Sequence, residues 1–253
     1  MTPILSFIIG TDWIILICLM TLLSFTLAAT LGIGGPLILL PILMLKFAPA
    51  ESVVMIVPAM FVNNLARVKY YYKYIQFRPA LFFLSTAIPL AAGAAFFTKY
   101  IPPTILKGLI VGIITYTLVS RYVFSLQLSL KIRGLLLWGI PTGLISGLSG
   151  TAGPPMAIAF RGYGLSMERF VATTAIIQAA LQLVRLPGYL STGILSKEHW
   201  FLAALMALSG LPAVFISKKI LRYLNPTSFR IALDVLLGVI GVIMLNNLIQ
   251  STF

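Results

Sequence analysis

Acidic residues are almost missing from this chain, with 5 in 253 positions against 18 Lys and Arg. Cysteine and histidine occur once each, as Cys18 and His199. A lone cysteine excludes an intramolecular disulfide. Without clustered Cys, His, Asp or Glu the sequence offers no ligand set for a metal, and no cofactor is expected. Paired acids, a Ser/His arrangement and a nucleotide-binding motif are missing too, which removes the basis for an intramembrane enzyme or for ATP-driven transport by this chain alone. Charged residues make up only 9% of the sequence, where a soluble domain carries about 25%. No polar linker of any size interrupts the chain, so a single domain covering 1–253 is expected. Residues 1–10 hold neither Lys nor Arg. They lack the basic start of a cleaved signal peptide, and the first apolar segment is expected to stay in the mature protein.

What fills the sequence instead is apolar. Hydrophobic residues reach 60% and the mean hydropathy is +1.05, which marks an integral membrane protein. The formal charge of +13 would suggest nucleic acid in a soluble protein. Here the cations fall between apolar runs, where they set topology and meet anionic lipid. The expected partners are therefore the bilayer and a small solute. His199 stands at a span edge in 197-KEHW-200 and suits an interfacial position beside Trp200. Apolar runs fall at about 13–31, 36–47, 52–66, 79–98, 103–124, 132–149, 155–165, 170–186, 199–216 and 227–249. A crossing takes about 20 residues. The runs at 36–47 and 155–165 are about half that, and each directly follows a cluster of helix breakers.

Those breakers belong to a repeat. A shift of 118 residues puts Gly32 on Gly150, Gly35 on Gly153, Pro36 on Pro154, Arg67 on Arg185 and Tyr71 on Tyr189; a shift of 123 puts 103-PTILK-107 on 226-PTSFR-230. The chain therefore holds a duplicated unit, with repeat 1 at about 10–125 and repeat 2 at about 131–250. If each broken segment were one simple crossing, both repeats would face the same way and Lys and Arg would divide nine to nine. If each folds back at its glycines, a repeat has a hairpin plus three crossings and the second repeat is inverted. One side then collects thirteen of the eighteen cations and the other keeps Lys46, Lys99, Lys107, Arg185 and Lys197. Cytoplasmic loops are enriched in Lys and Arg, which favours the hairpin arrangement. The fold class expected is an all-α polytopic membrane protein of two inverted repeats, each a glycine-broken hairpin plus three transmembrane helices.

In hydrocarbon an opened turn leaves N–H and C=O groups unpaired, and such a break survives only where protein buries it or a polar cavity supplies partners. Glycine provides the dihedrals, and proline fits the first turn of the helix that follows. A helix N-terminus at membrane depth offers free N–H donors and about half a positive charge. Two opposed repeats would bring two such ends together near the midplane, as in secondary transporters. Gly32, Gly34, Gly35 and Pro36, with Gly150, Ala152, Gly153 and Pro154, are the candidate substrate-lining residues. Gly139, Gly143 and Gly147, spaced four apart, suit close helix packing instead. Asn63, Asn64, Thr173, Thr174, Gln178 and Gln182 are uncharged donors inside spans, suited equally to a substrate path or to tying helices together. Arg67 and Arg185 could bind an oxyanion bidentately; their place toward helix ends is also where side chains ordinarily snorkel to the interface. Glu51 and Glu168 start helices, where a carboxylate offsets the dipole. Asp234 stands four residues after Arg230 and either pairs with it or carries a coupled proton.

The two glycine stretches, 32-GIGGPLILLP-41 and 147-GLSGTAGPP-155, and the following 172-ATTAIIQ-178 resemble the signatures of the sulfite exporter TauE/SafE family, also called the sulfonate uptake permease family. The resemblance covers nearly the whole chain. It implies transport of sulfite, sulfoacetate or related organosulfonates across a bacterial cytoplasmic (inner) membrane. The chain departs from the family pattern where Pro36 replaces the third glycine and where the second copy carries Ala152 and two prolines. A permease for another small organic anion, or a structural membrane protein, are the competing expectations.

Overall fold

In the computed structural model the described residues are 10–32, 35–123, 129–221, 235, 238–239 and 241–246. Gly34 and Asp234 lie outside them, as does the Arg230 beside Asp234. Among the described residues the fold is entirely helical, without strands. The elements are α1 (Thr11–Leu31), α2 (Gly35–Leu43), α3 (Pro49–Tyr71), α4 (Phe77–Phe97), α5 (Pro103–Val123), α6 (Ile132–Ser149), α7 (Gly153–Gly162), α8 (Met167–Ser191), α9 (Lys197–Gly210) and α10 (Ala213–Leu221). Among the described residues six helical segments are long and apolar enough to cross a membrane: α1, α3, α4, α6, α8 and α9 with α10 as one span bent at Leu211–Pro212. Pro212 cannot continue the ladder, which places the bend there. The two half-length runs are the short helices α2 and α7.

Side-chain contacts fix the path of the chain. The Lys46 ammonium, just past α2, lies 6.0 Å from the Trp13 ring near the start of α1. The Leu130 amide, just before α6, donates to Gly162 O at the end of α7, 2.8 Å away. Each broken arm thus brings its two ends back together. Glu51 Oε2 is 3.9 Å from His199 Nε2, and the Phe47 and His199 rings meet edge-on, so α3 and α9 start side by side. The Gln76 amide donates to Thr173 Oγ1 at 3.0 Å, which sets the start of α4 beside the start of α8. Glu51 also accepts from the Ala48 amide at 2.9 Å and caps α3, and α8 begins behind Ser166 with Glu168 in its first turn.

Packing between the halves is reciprocal. Helix α4 lies against α6 and α8, while α9 lies against α1 and α3, and α3 and α8 pack on each other. The apolar interior forms two clusters. One is built mainly from α1, α2, α3, α5 and α9 with its extension α10, joined by Ala95 of α4 and Tyr189 of α8; the other is built from α4, α6, α7 and α8. Large apolar side chains such as Leu19, Leu81, Leu137 and Phe215 are exposed on the outside, as groups facing lipid are. The Gly139/Gly143/Gly147 stripe is the α6 surface that meets α4. A Cβ on Gly143 would stand 2.6 Å from Ala87 O, and one on Gly147 would stand 2.7 Å from Ala91 O. Backbone on both sides leaves no flexible group to yield. Gly143→Val should lower the melting temperature of the purified protein by overpacking worth about 1–3 kcal/mol. Gly93→Ala, where an added Cβ meets nothing within 4 Å, should not lower it, and equal losses for both would remove the stripe's packing role.

Candidate functional site

The first break opens where α1 ends in the left-handed region at Gly32, φ 78°, and the second where α6 ends at Gly150, φ 73°. In both, the glycine amide closes onto the carbonyl four residues back, Ala28 O at 2.9 Å and Ser146 O at 3.0 Å. This is the single-bond left-handed cap of a helix C-terminus. A Cβ at Gly32 would meet the Phe170 ring at 2.6 Å, so both the dihedral and the space demand glycine. Gly35, Pro36, Gly150, Ala152, Gly153 and Pro154 are all buried around these turns. Pro36 and Pro154 stand second in α2 and α7, where a missing N–H leaves no gap in the ladder.

A helix that ends inside hydrocarbon leaves carbonyls without partners. Gly32 O is met by Thr174 Oγ1 at 3.3 Å, Gln178 Nε2 at 3.2 Å and Arg67 Nη2 at 3.4 Å. At the second break Ser146 O receives Arg185 Nη1, and Gly147 O receives Tyr189 Oη at 2.6 Å and Thr98 Oγ1 at 3.2 Å. Arg67 is 1% exposed and Arg185 2%. Neither side chain snorkels to an interface, contrary to the ordinary expectation for their positions: each turns inward because the broken helix offers it carbonyls and a C-terminal dipole.

Between the two breaks runs a polar seam. Arg67 Nη1 donates to Asn64 Oδ1 at 2.9 Å, and Asn64 Nδ2 donates to Gln182 Oε1 at 3.0 Å. Asn64 and Gln182 stand 118 residues apart, the spacing that relates the repeats, so each bonds its own counterpart. Asn63 ties α3 to α9 through Gly210 O at 3.3 Å. Two donors in this seam, Arg67 Nε and Gln182 Nε2, are buried without a partner among the described residues, as is Ser24 Oγ.

The charge is as unbalanced as the hydrogen bonding. The four acids within the described residues, Asp12, Glu51, Glu168 and Glu198, each occupy the first turn of a helix. None of them pairs with Arg67. A helix C-terminus supplies about half a negative charge, less than the guanidinium carries. Water can satisfy free N–H groups, but it cannot neutralise a buried cation, and an unpaired one costs several kcal/mol. An anion would do both. The structure therefore brings Asn64, Arg67, Thr174, Gln178 and Gln182 to one region beside the first break, and Arg185 to the second. Tyr189, Thr98 and Ser146 were not among the expected site residues. Tyr189 could have been found from its match to Tyr71, one turn beyond the paired arginines; Thr98 and Ser146 carry no signal in the sequence.

The sequence profile of the sulfite exporter TauE/SafE family matches residues 16–244, all but the first fifteen and last nine positions. No curated protein and no solved structure matches the chain. The match spans both breaks, the seam between them and the helices that close around them, and the chain belongs to the sulfite exporter TauE/SafE family of membrane transporters.

Proposed function

We propose that the protein is a secondary transporter of small sulfur-containing anions, sulfite, sulfoacetate or another organosulfonate, and that it works by alternating access in a bacterial inner membrane. The observation that carries this is the buried Arg67, which pairs with no acid among the described residues: its Nε is unpartnered, and its Nη1 leads through Asn64 to Gln182, whose own Nε2 is unpartnered. A sulfur oxyanion presents several acceptor oxygens and a full negative charge, which suits two fixed donors and a guanidinium. The first break adds the N-terminus of α2 at Gly35, where backbone amides favour an anion. Binding on the seam between the halves puts the substrate where a rocking of one half against the other exposes it to either side. An inside-negative potential contributes about 2.3 kcal/mol per charge per 100 mV, enough to drive anion export without a coupled ion.

The alternation requires that the repeats be inverted. The closed ends of both arms support this if α5, the shorter apolar helix, crosses beside α3 and α4: an odd number of crossings returns the second arm to the opposite face. Removing the buried Arg67 from the thirteen cations and Arg185 from the five leaves twelve against four, which favours a cytoplasmic position for the side of Lys73 and Lys131.

Two measurements follow. Purified protein in liposomes should carry labelled sulfite or sulfoacetate, and Arg67→Gln should cut the rate about 10- to 100-fold, the worth of one charge-assisted hydrogen bond. Undiminished flux in that variant would remove Arg67 from the path. In a Cys18→Ser background, single cysteines at Asp12, Lys46 and Lys197 should react with an impermeant reagent from the periplasmic face, and those at Lys73, Lys131 and Arg169 only from the cytoplasm. Labelling of positions 12 and 46 from opposite faces would rule out the folded-back arm.

A further inference from the structure

The two arginines are sequence mates, yet their surroundings differ atom by atom. Arg185 spends Nε on Leu181 O, 3.0 Å away and one turn back in its own helix, and Nη1 on Ser146 O of its own half. Arg67 crosses to the other half, where Nη2 reaches Val171 O at 3.2 Å, and its Nε has no acceptor among the described residues. The residues that dress Gly32 O from α8, Thr174 and Gln178, correspond under the 118-residue shift to Ile56 and Met60. Both of these are buried in the apolar cluster and can donate nothing. A Cβ on Gly150 would meet Val53 at 3.2 Å, where at Gly32 the Thr174 hydroxyl is a close neighbour. Within the central pair, Asn64 uses both its carbonyl and its amide, whereas Gln182 keeps its amide free.

From this divergence we infer that the chain holds one anion, not two: Arg67 Nε and Gln182 Nε2 are the donors that grip it, and Arg185 with Tyr189 and Thr98 is a fixed clasp on the C-terminal carbonyls of α6. The inference rests on the anion-transport reading above and deepens it, since it divides labour between halves that the duplicated sequence makes look alike. The clasp holds α6 closed at its buried end, where Gly147 O would otherwise lack a partner and Ser146 O would keep only the Gly150 amide. None of its donor atoms is among the buried ones left without a partner. Gln182 becomes the residue that distinguishes an acceptor-rich anion from a halide, because its amide seeks a second oxygen once Arg67 has engaged the first.

The test is the shift in melting temperature that sulfite, sulfate or sulfoacetate gives to the purified full chain. The wild-type protein should be stabilised by at least one of these. Arg67→Gln should abolish the shift. Gln182→Glu supplies the missing carboxylate, so it should abolish the shift too, while the ligand-free protein melts no lower than wild type. Arg185→Gln should melt lower yet keep an anion response within about twofold of wild type. If that variant does not fold, Tyr189→Phe, which removes the hydroxyl from Gly147 O, should show the same pattern. Loss of the anion response in the clasp variants, with the wild-type response intact, would overturn the division of labour alone. No response of the wild-type protein to any of the three anions would overturn the transport reading together with it.

Discussion

A carbonyl released inside hydrocarbon has to be met by a donor, and that requirement organises this molecule. Helices α1 and α6 both stop within the protein, at Gly32 and Gly150, where the chain takes a left-handed turn that glycine alone adopts without strain. Leaving the last carbonyls bare in lipid would cost several kcal/mol each. Helices α3 and α8 supply the donors, and each carries an arginine at the matched position. Close packing of α4 on α6 and of α9 on α1 then holds the broken arms in place. Fold and site share one cause, because the groups that heal the broken backbone are those that leave a cation buried between the halves.

The scarcity of acid gives that cation its meaning. Four of the five carboxylates serve helix starts, where they offset dipoles at the edges of the bundle. Among the described residues Arg67 is left to carbonyls and to Asn64. A protein that needed Arg67 only for stability would do better with an apolar residue of similar size. A cation kept without a partner is better suited to a mobile one. The apolar clusters on either side of the seam lower the local dielectric and strengthen the attraction for an anion.

Much of this was legible in the sequence because the membrane removes alternatives. Glycine and proline inside an apolar run have few uses there, so Gly32, Gly35, Gly150 and Gly153 announced the breaks, and the half-length runs behind them became α2 and α7. The Gly139/Gly143/Gly147 spacing gave a packing face that meets backbone on α4. The arginines were harder. A cation near a helix end reads as an interfacial one, and only the three-dimensional approach of Gly32 O and Ser146 O explains why both turn inward. The contribution of Thr98 to the second break was hidden for the same reason: a threonine has no pattern that distinguishes a helix clasp from a local bond to its own turn. The matched positions also concealed a difference. Identical arginines in duplicated frames look equivalent until the atoms around each Nε are compared.

The most direct test of the central claim is a density map of the protein in lipid nanodiscs with selenite, a heavier relative of sulfite with the same oxygen geometry. Selenium density within hydrogen-bonding distance of Arg67 Nε and Gln182 Nε2 is the predicted result. A map with Arg67 neutralised by a carboxylate of the chain, and selenite bound elsewhere or not at all, would contradict it.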